Sequence, residues 1–362
     1  MTDLSSTFLT IIEFILAFGA LVFLHEFGHF IAARLNHIEV EEFGFGYPPK
    51  IVRLFRAGGT DFTLNWIPFG GFCRMKGEAG DITEPGSFPA ANPWRRLVAL
   101  LGGPFMNLLV GMLIFAYLFS RTGMPDYSKV MITGIAPNSP ASAELQIGDI
   151  VTEVNGKEVQ SLDQLTQLVT ESLDQQTTLS ILRDEQPLEV SLVPRSQPPE
   201  GEGSMGVVIS NPVNKISFIG AIPTATLTTL DQGYQLIMLP VRLISGQIAP
   251  SDARMVSVKG IYDMYSQVQT IDQQEAAEDP SLKGLNILSF LAIISIALGF
   301  TNLLPIPALD GGHIIFLIPE ILFKKRVRPE LEGRIHGIAF MLLIGLMVVL
   351  VINDIVNPVS IF

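Results

Sequence analysis

His25-Glu26-Phe27-Gly28-His29 places two imidazoles and a carboxylate within five residues of an otherwise apolar run. On a helix, residues four apart project from one face, so His25 and His29 point the same way. Two neutral imidazoles at that spacing suit two corners of a tetrahedral zinc site, and Glu26 beside them suits a general base acting on water. Ionisable groups at membrane depth cost about 2.5 kcal/mol or more each, so three of them this close together require a partner such as a metal. The plain alternative, a pair of hydrogen-bonded core histidines on an interfacial helix, leaves that cost unmet.

A further candidate ligand lies far along the chain. Pro305 and Pro307 cannot continue a helix, and Asp310 follows them on a turn ahead of Gly311 and Gly312. Three protein ligands with an open fourth position describe a catalytic zinc site. The same carboxylate could cap a helix over 311–323; its expected depth, level with the two histidines, favours the ligand reading. His313 is a rival ligand or a support for one. Asn302 could satisfy backbone carbonyls or hold an extended substrate. His37 and His336 sit in basic margins and read as surface residues. Zinc, among divalent ions, follows from the ligand types.

The elements that must position these groups are mostly membrane helices. Of 362 residues, 48% are hydrophobic and only 16% charged, with a mean hydropathy of +0.42; soluble proteins carry about 25% charged residues. The composition therefore predicts a polytopic α-helical membrane protein of about four transmembrane helices. We place them at 7–36, with the histidine pair, and at 97–120, 285–309 and 336–357, each long enough to cross a bilayer. The absence of a basic n-region, together with Asp3 and Glu13, argues against a cleavable signal peptide. The formal charge of −12 argues against a nucleic-acid partner. The single Cys73 excludes an intrachain disulfide and a cysteine-based zinc knuckle.

Loop charge sets the expected orientation. Segment 34–96 carries eight Lys and Arg residues and 324–334 carries five, whereas 121–283 has ten basic and twenty acidic ones. The first two belong in the cytoplasm and the third outside, with both termini. The histidine pair and Asp310 then share a depth towards the cytoplasmic side.

Between the first two spans, 40–80 is rich in alternating aromatics, glycine and proline, which predicts a membrane-associated or re-entrant β region. Trp66, Phe69 and Phe72 suit an interface. From 128 to 195 the pattern is that of a soluble α/β module, with helix 162–171 and strands at 178–183 and 188–193. Its Ser139-Pro140-Ala141 turn, Gly148-Asp149 and Asn155-Gly156 resemble a circularly permuted PDZ domain. Such a module either binds a peptide strand or only restricts access. A Pro/Gly/Glu linker at 196–204 marks a boundary, and 205–282 reads as an amphipathic extracytoplasmic region.

Taken together, His25-Glu26-Phe27-Gly28-His29, Gly103 to Asn107, the PDZ-like insert, Ser257 to Ile261, and Asn302 to Asp310 with its two glycines resemble the site-2 protease family. These are intramembrane zinc metalloproteases, and the likeness is to the bacterial regulator of sigma-E branch. The chain departs from the proteobacterial pattern in having one PDZ-like module instead of two in tandem. The resemblance implies cleavage, within the bacterial inner membrane, of single-pass transmembrane substrates such as anti-sigma factors already trimmed by an upstream site-1 protease, and of remnant signal peptides. It implies Zn2+ on His25, His29 and Asp310, Glu26 as base, Asn302 as a substrate contact and Asn107 as another, with membrane lipid as the surroundings. The competing reading is a catalytically silent zinc-containing scaffold that binds partners through its PDZ domain.

Overall fold

The computed structural model describes residues 4–78, 84–199, 201–249 and 254–360. The Phe69 side chain lies outside the described residues, as do positions 79–80 and 250–253 of the segments expected at 40–80 and 205–282. The chain divides into two units, one of residues 1–118 and 222–362 and the other of 119–221.

The first unit is helical. Helix α1 (Leu4–Leu35) ends where His37 adopts a left-handed φ of 59°, and the Ile38 N–H reaches back to the Ala33 carbonyl at 2.9 Å, a usual way to satisfy the last orphan carbonyls. Next, α2 (Pro93–Thr122) opens with proline at its first position and the Asn92 side chain accepting the Trp94 N–H at 2.9 Å. The later helices of this unit are α4 (Phe218–Ile244), α5 (Val258–Glu278), α6 (Leu285–Leu303), α7 (Asp310–Phe323) and α8 (Pro329–Val356). Those of sufficient length and apolar character to cross a membrane are α1, α2, α6 with the turn before it, and α8. They overlap the four expected segments, and the second begins earlier, at Pro93. The third stops at Leu303, before the prolines, and the fourth begins at Pro329.

Strands β1 (Val40–Ala57) and β2 (Thr60–Met75) form an antiparallel hairpin. Gly58 and Gly59 both have positive φ (56° and 88°), which suits the two-residue turn between them. The hairpin packs on one stripe of α1. Phe23, Phe27 and Phe30, at helical spacing, meet Phe43 and Phe45, with Phe23 and Phe45 stacked at 4.7 Å between centroids. The histidines of α1 occupy a neighbouring stripe and are left for other partners.

The region expected as a surface amphipathic segment is otherwise built. Helix α4 packs along two of the long helices. The Thr226 hydroxyl lies 3.3 Å from Met112 Sδ on α2, and Gly233 faces Phe300 on α6 so closely that a Cβ would enter the ring. Helix α5 rests on α1 through Tyr262 and Tyr265 against Phe14. Its first residues are clamped by Asp354 of α8, which accepts from the Ser257 amide and hydroxyl, each at 2.7 Å.

The second unit is an α/β module around one apolar core. Its elements are β3 (Met124–Pro125), β4 (Val130–Ile135), β5 (Ile150–Val154), β6 (Lys157–Glu158), α3 (Leu162–Thr170), β7 (Thr177–Arg183), β8 (Gln186–Leu192), β9 (Val207–Ser210) and β10 (Val213–Asn214). The sheet order is β8-β7-β5-β4-β9, with β6 on β5, while β10 pairs with β3. The 196–204 linker is therefore no boundary. The chain returns after it to add β9 beside β4, pairing Ile132 with Ile209, so the module extends beyond 195. Helix α3 is capped by the Ser161 hydroxyl on the Gln164 N–H and buries Leu165, Leu168 and Val169 in the core.

Candidate active site

Three side chains from two distant segments converge in the helical unit. His25 and His29 of α1 are 8% and 6% exposed, and their Nε2 atoms lie 3.2 Å apart. Asp310 Oδ2 is 3.2 Å from His25 Nε2, and Oδ1 is 3.4 Å from His29 Nε2. Metal–ligand bonds near 2.0–2.1 Å put the corners of a tetrahedron about 3.3 Å apart. Each imidazole Nε2 thus lies at the spacing of two tetrahedral corners from the other and from one of the two Asp310 oxygens.

The imidazole tautomers are compatible with such an ion. His29 Nδ1 lies 2.9 Å from the Ala99 carbonyl, so it carries the proton and Nε2 keeps its lone pair. His25 Nδ1 lies 3.2 Å from the Asn107 side-chain amide, whose Oδ1 is buried without a partner. A half-turn of that amide sets Oδ1 on the Nδ1–H, satisfies the orphan oxygen and frees His25 Nε2 as a ligand. With both protons on Nδ1, no donor reaches Asp310 Oδ2, which is itself buried and without a hydrogen-bond partner. A cation is what these lone pairs lack.

Glycines give the centre its room. A Cβ on Gly103 would press into both His29 Nε2 and His25 Nε2, so α2 offers bare backbone beside the two nitrogens. One residue earlier, Gly102 meets Gly28 backbone to backbone, the close approach that small residues allow between membrane helices. After Pro305 and Pro307, α7 starts at Asp310 without a side-chain cap bond. Asp310 is thus the first helical residue, and its carboxylate oxygens lie against the two imidazoles. Side chains at Gly311 or Gly312 would collide with the carbonyls of Leu304 and Ile306 respectively, so both glycines let the first turn of α7 lie against its own lead-in.

Glu26, on the same helix, lines a cavity of about 390 Å³ together with the three convergent residues and Asn302. Cys73 of β2 borders the same cavity. Asn107, expected as a substrate contact, also borders the cavity, but it is 1% exposed and its amide is turned to His25. His313 is not one of the three; it stacks on His336 at 3.8 Å, and His336, expected at the surface, is half-buried. His37 is exposed, as expected. The signals that could have exposed the rest are the Gly102-Gly103-Pro104 run inside an apolar span and the lone Asn107 one turn beyond it.

In the α/β unit, α3 and the edge strand β9 flank a groove of about 100 Å³ lined by Leu165, Val169, Met205, Val207 and Ile209.

The sequence profile of peptidase family M50 matches residues 13–346. A Clostridium perfringens protein provisionally named a zinc metalloprotease is 30% identical over 353 residues, which is 96% of this chain and 99% of the relative. The regulator of sigma-W protease RasP of Bacillus subtilis is 26% identical over 430 residues, covering 96% and 98%. Among solved structures, the PDZ domain of an SdrC-like protein from Listeria innocua aligns with 22% of this chain and 92% of its own length, at 17% identity and a TM-score of 0.21.

Proposed function

The chain belongs to peptidase family M50, a family of zinc metalloproteases, and on that premise we propose that it hydrolyses peptide bonds within the transmembrane segments of single-pass proteins in the bacterial inner membrane. The observation that carries this reading is the convergence of His25 Nε2, His29 Nε2 and the two Asp310 carboxylate oxygens at 3.2–3.4 Å in a unit whose long helices suit a bilayer.

His25, His29 and Asp310 would hold the zinc, with Asn107 and the Ala99 carbonyl fixing the two imidazoles. Zinc held there would lower the pKa of a water to about 7 and polarise a carbonyl. Glu26 would take a proton from the attacking water as its oxygen bonds to the scissile carbonyl carbon, and deliver it to the amine nitrogen as the C–N bond breaks. A membrane-spanning substrate helix keeps its carbonyls in internal hydrogen bonds, so the scissile stretch must unwind first. Asn302, on the cavity wall, holds the unwound backbone, and β2 offers an edge for strand addition. The substrates fitting this chemistry are anti-sigma-factor-like regulators pre-trimmed by a site-1 protease, and remnant signal peptides. The loop charges support placing both termini and the α/β unit outside, with the catalytic centre towards the cytoplasm. The groove between α3 and β9 supports reading that unit as a PDZ domain that takes a peptide strand.

The test is cleavage of a model single-pass substrate in liposomes by wild type and Glu26→Gln, with bound zinc measured in both. The substitution should slow cleavage by about 10² to 10⁴ at unchanged zinc content. Wild type that holds zinc yet cuts no transmembrane substrate, pre-trimmed ones included, would sink the proposal.

A further inference from the structure

The turn that presents Asp310 is held from α8. Ala308, two residues before the carboxylate, has φ +78°, the left-handed region that a residue with a Cβ seldom occupies. The neighbouring backbone donors are satisfied within the loop: Ile306 N–H by Leu304, Leu309 N–H by Ile306, and Gly312 N–H by Leu309. The Ala308 N–H instead donates to His336 Nδ1 at 2.9 Å, from a side chain 28 residues further on. The His336 ring lies flat on His313 at 3.8 Å and 15°, with Phe316 at 5.3 Å, so the first turns of α7 fix its plane.

We propose that His336 is a positioning residue for the third metal ligand. Its Nδ1 lone pair holds Ala308 in the left-handed turn and so sets the direction in which Asp310 leaves the loop towards His25 and His29. Without that acceptor, the Ala308 N–H loses its partner, and the turn loses the contact that keeps a residue with a Cβ in a left-handed conformation. The inference rests on the reading of Asp310 as a zinc ligand. A second metal at the same place is the competing use, since His313, Glu332 and His336 bring possible ligand atoms within 4.8 Å of one another. Two features oppose it. Accepting at Nδ1 commits the ring proton to Nε2, which is buried and without a partner, so neither nitrogen has a lone pair to give while the Ala308 bond stands. Parallel stacked rings also direct their nitrogen lone pairs in parallel planes, which do not converge on one ion.

Two substitutions separate the hydrogen bond from the stacking. His336→Phe keeps a flat ring on His313 but removes the acceptor; His336→Asn removes the ring but leaves Oδ1 where Nδ1 stood. The full-length protein in detergent is mixed with a chelator, and zinc loss is followed by mass spectrometry, with Asp310→Asn as reference and circular dichroism to check helix content. His336→Phe should release zinc about ten- to a hundredfold faster than wild type, and His336→Asn should stay within about threefold of it, because an acceptor at the same place meets the same donor. The opposite order, or equal rates in all three, overturns the proposal. Zinc retained in Asp310→Asn overturns the ligand reading beneath it, which is a different failure. Two zinc ions per wild-type chain, one of them lost in both His336 variants, would hand the cluster to the second-metal reading.

Discussion

Both units bury apolar cores, but they differ in the polar groups they hide. In the α/β unit the core is apolar: Val130, Ile132, Val151, Leu179 and Ile181 are each at most 1% exposed. In the helical unit, α8 turns Met341, Leu342 and Val349 outward and buries nothing across its most apolar window, while His25, His29, Asn107 and Asp354 are hidden. Where apolar surface can face lipid, burying it stabilises little, and a buried polar group is the exception that asks for a cause. Here the causes are distinct. Three groups gather around an ion-sized gap, Asn107 orients one of them, and Asp354 ties α5 to α8. The α/β unit hides a carboxylate too, but Asp149 answers to Arg183 through two bonds of 2.8 Å, an ordinary ion pair on the flank of a soluble core.

Substitutions at matched positions probe this contrast, and the steepest effect belongs to the metal centre. Gly103→Ala puts a methyl group into the gap between the two Nε2 atoms; zinc content should fall to background with helix content by circular dichroism unchanged, and a variant that keeps its zinc would show that the gap is not where the ion sits. Next, Leu179→Ala in the α/β core should cost that unit about 2–5 kcal/mol, read as lost hydrogen-exchange protection over 130–192, while zinc stays bound. Asp149→Asn should cost about 1.5–3 kcal/mol by the same readout. Burial alone would raise the Asp149 carboxyl, but the Arg183 guanidinium and the Gln146 N–H hold it below its usual range. A depressed folded pKa means that the contribution is fully present above about pH 3.9 and fades as pH falls through the lower folded value; protection that instead fell with rising pH would reverse the assignment. The mildest change is Leu342→Ala on α8, the same kind of truncation as at Leu179, expected within about 0.5 kcal/mol. A large loss there would mean that the outward face of α8 packs against protein.

Legibility in the sequence followed how local the cause was. The four long helices carry long apolar runs, and the histidine pair declares itself by its spacing within one of them. Asp310 was legible because two prolines and two glycines bracket it. His336 was not, since its basic neighbours suggest solvent and its partner is a backbone N–H 28 residues away, which leaves no mark on residue type. Helix α4 misled for a related reason. Pro223 and Pro240 and its threonines interrupt the apolar pattern, yet its packing is set by Thr226 against Met112 and Gly233 against Phe300. The linker at 196–204 looked like an end because its composition is loop-like; strand pairing across it is a long-range fact that composition does not encode. Asn107 showed its position but not its work, because that depends on which end of a nearly symmetric amide meets His25.

The contact of Gly28 with Gly102 has a further consequence, for traffic. Where two backbones already touch, no peptide can thread, since an extended chain needs about 4.7 Å from its neighbour. The seam between α1 and α2 is therefore a closed wall at the level of the histidines. On the function proposed above, the way in for a scissile segment would be past Cys73 of β2 or the loop that carries Ala308, both of which border the cavity. The direction in which a substrate chain runs through the catalytic centre is thus constrained by two residues that have no side chains at all.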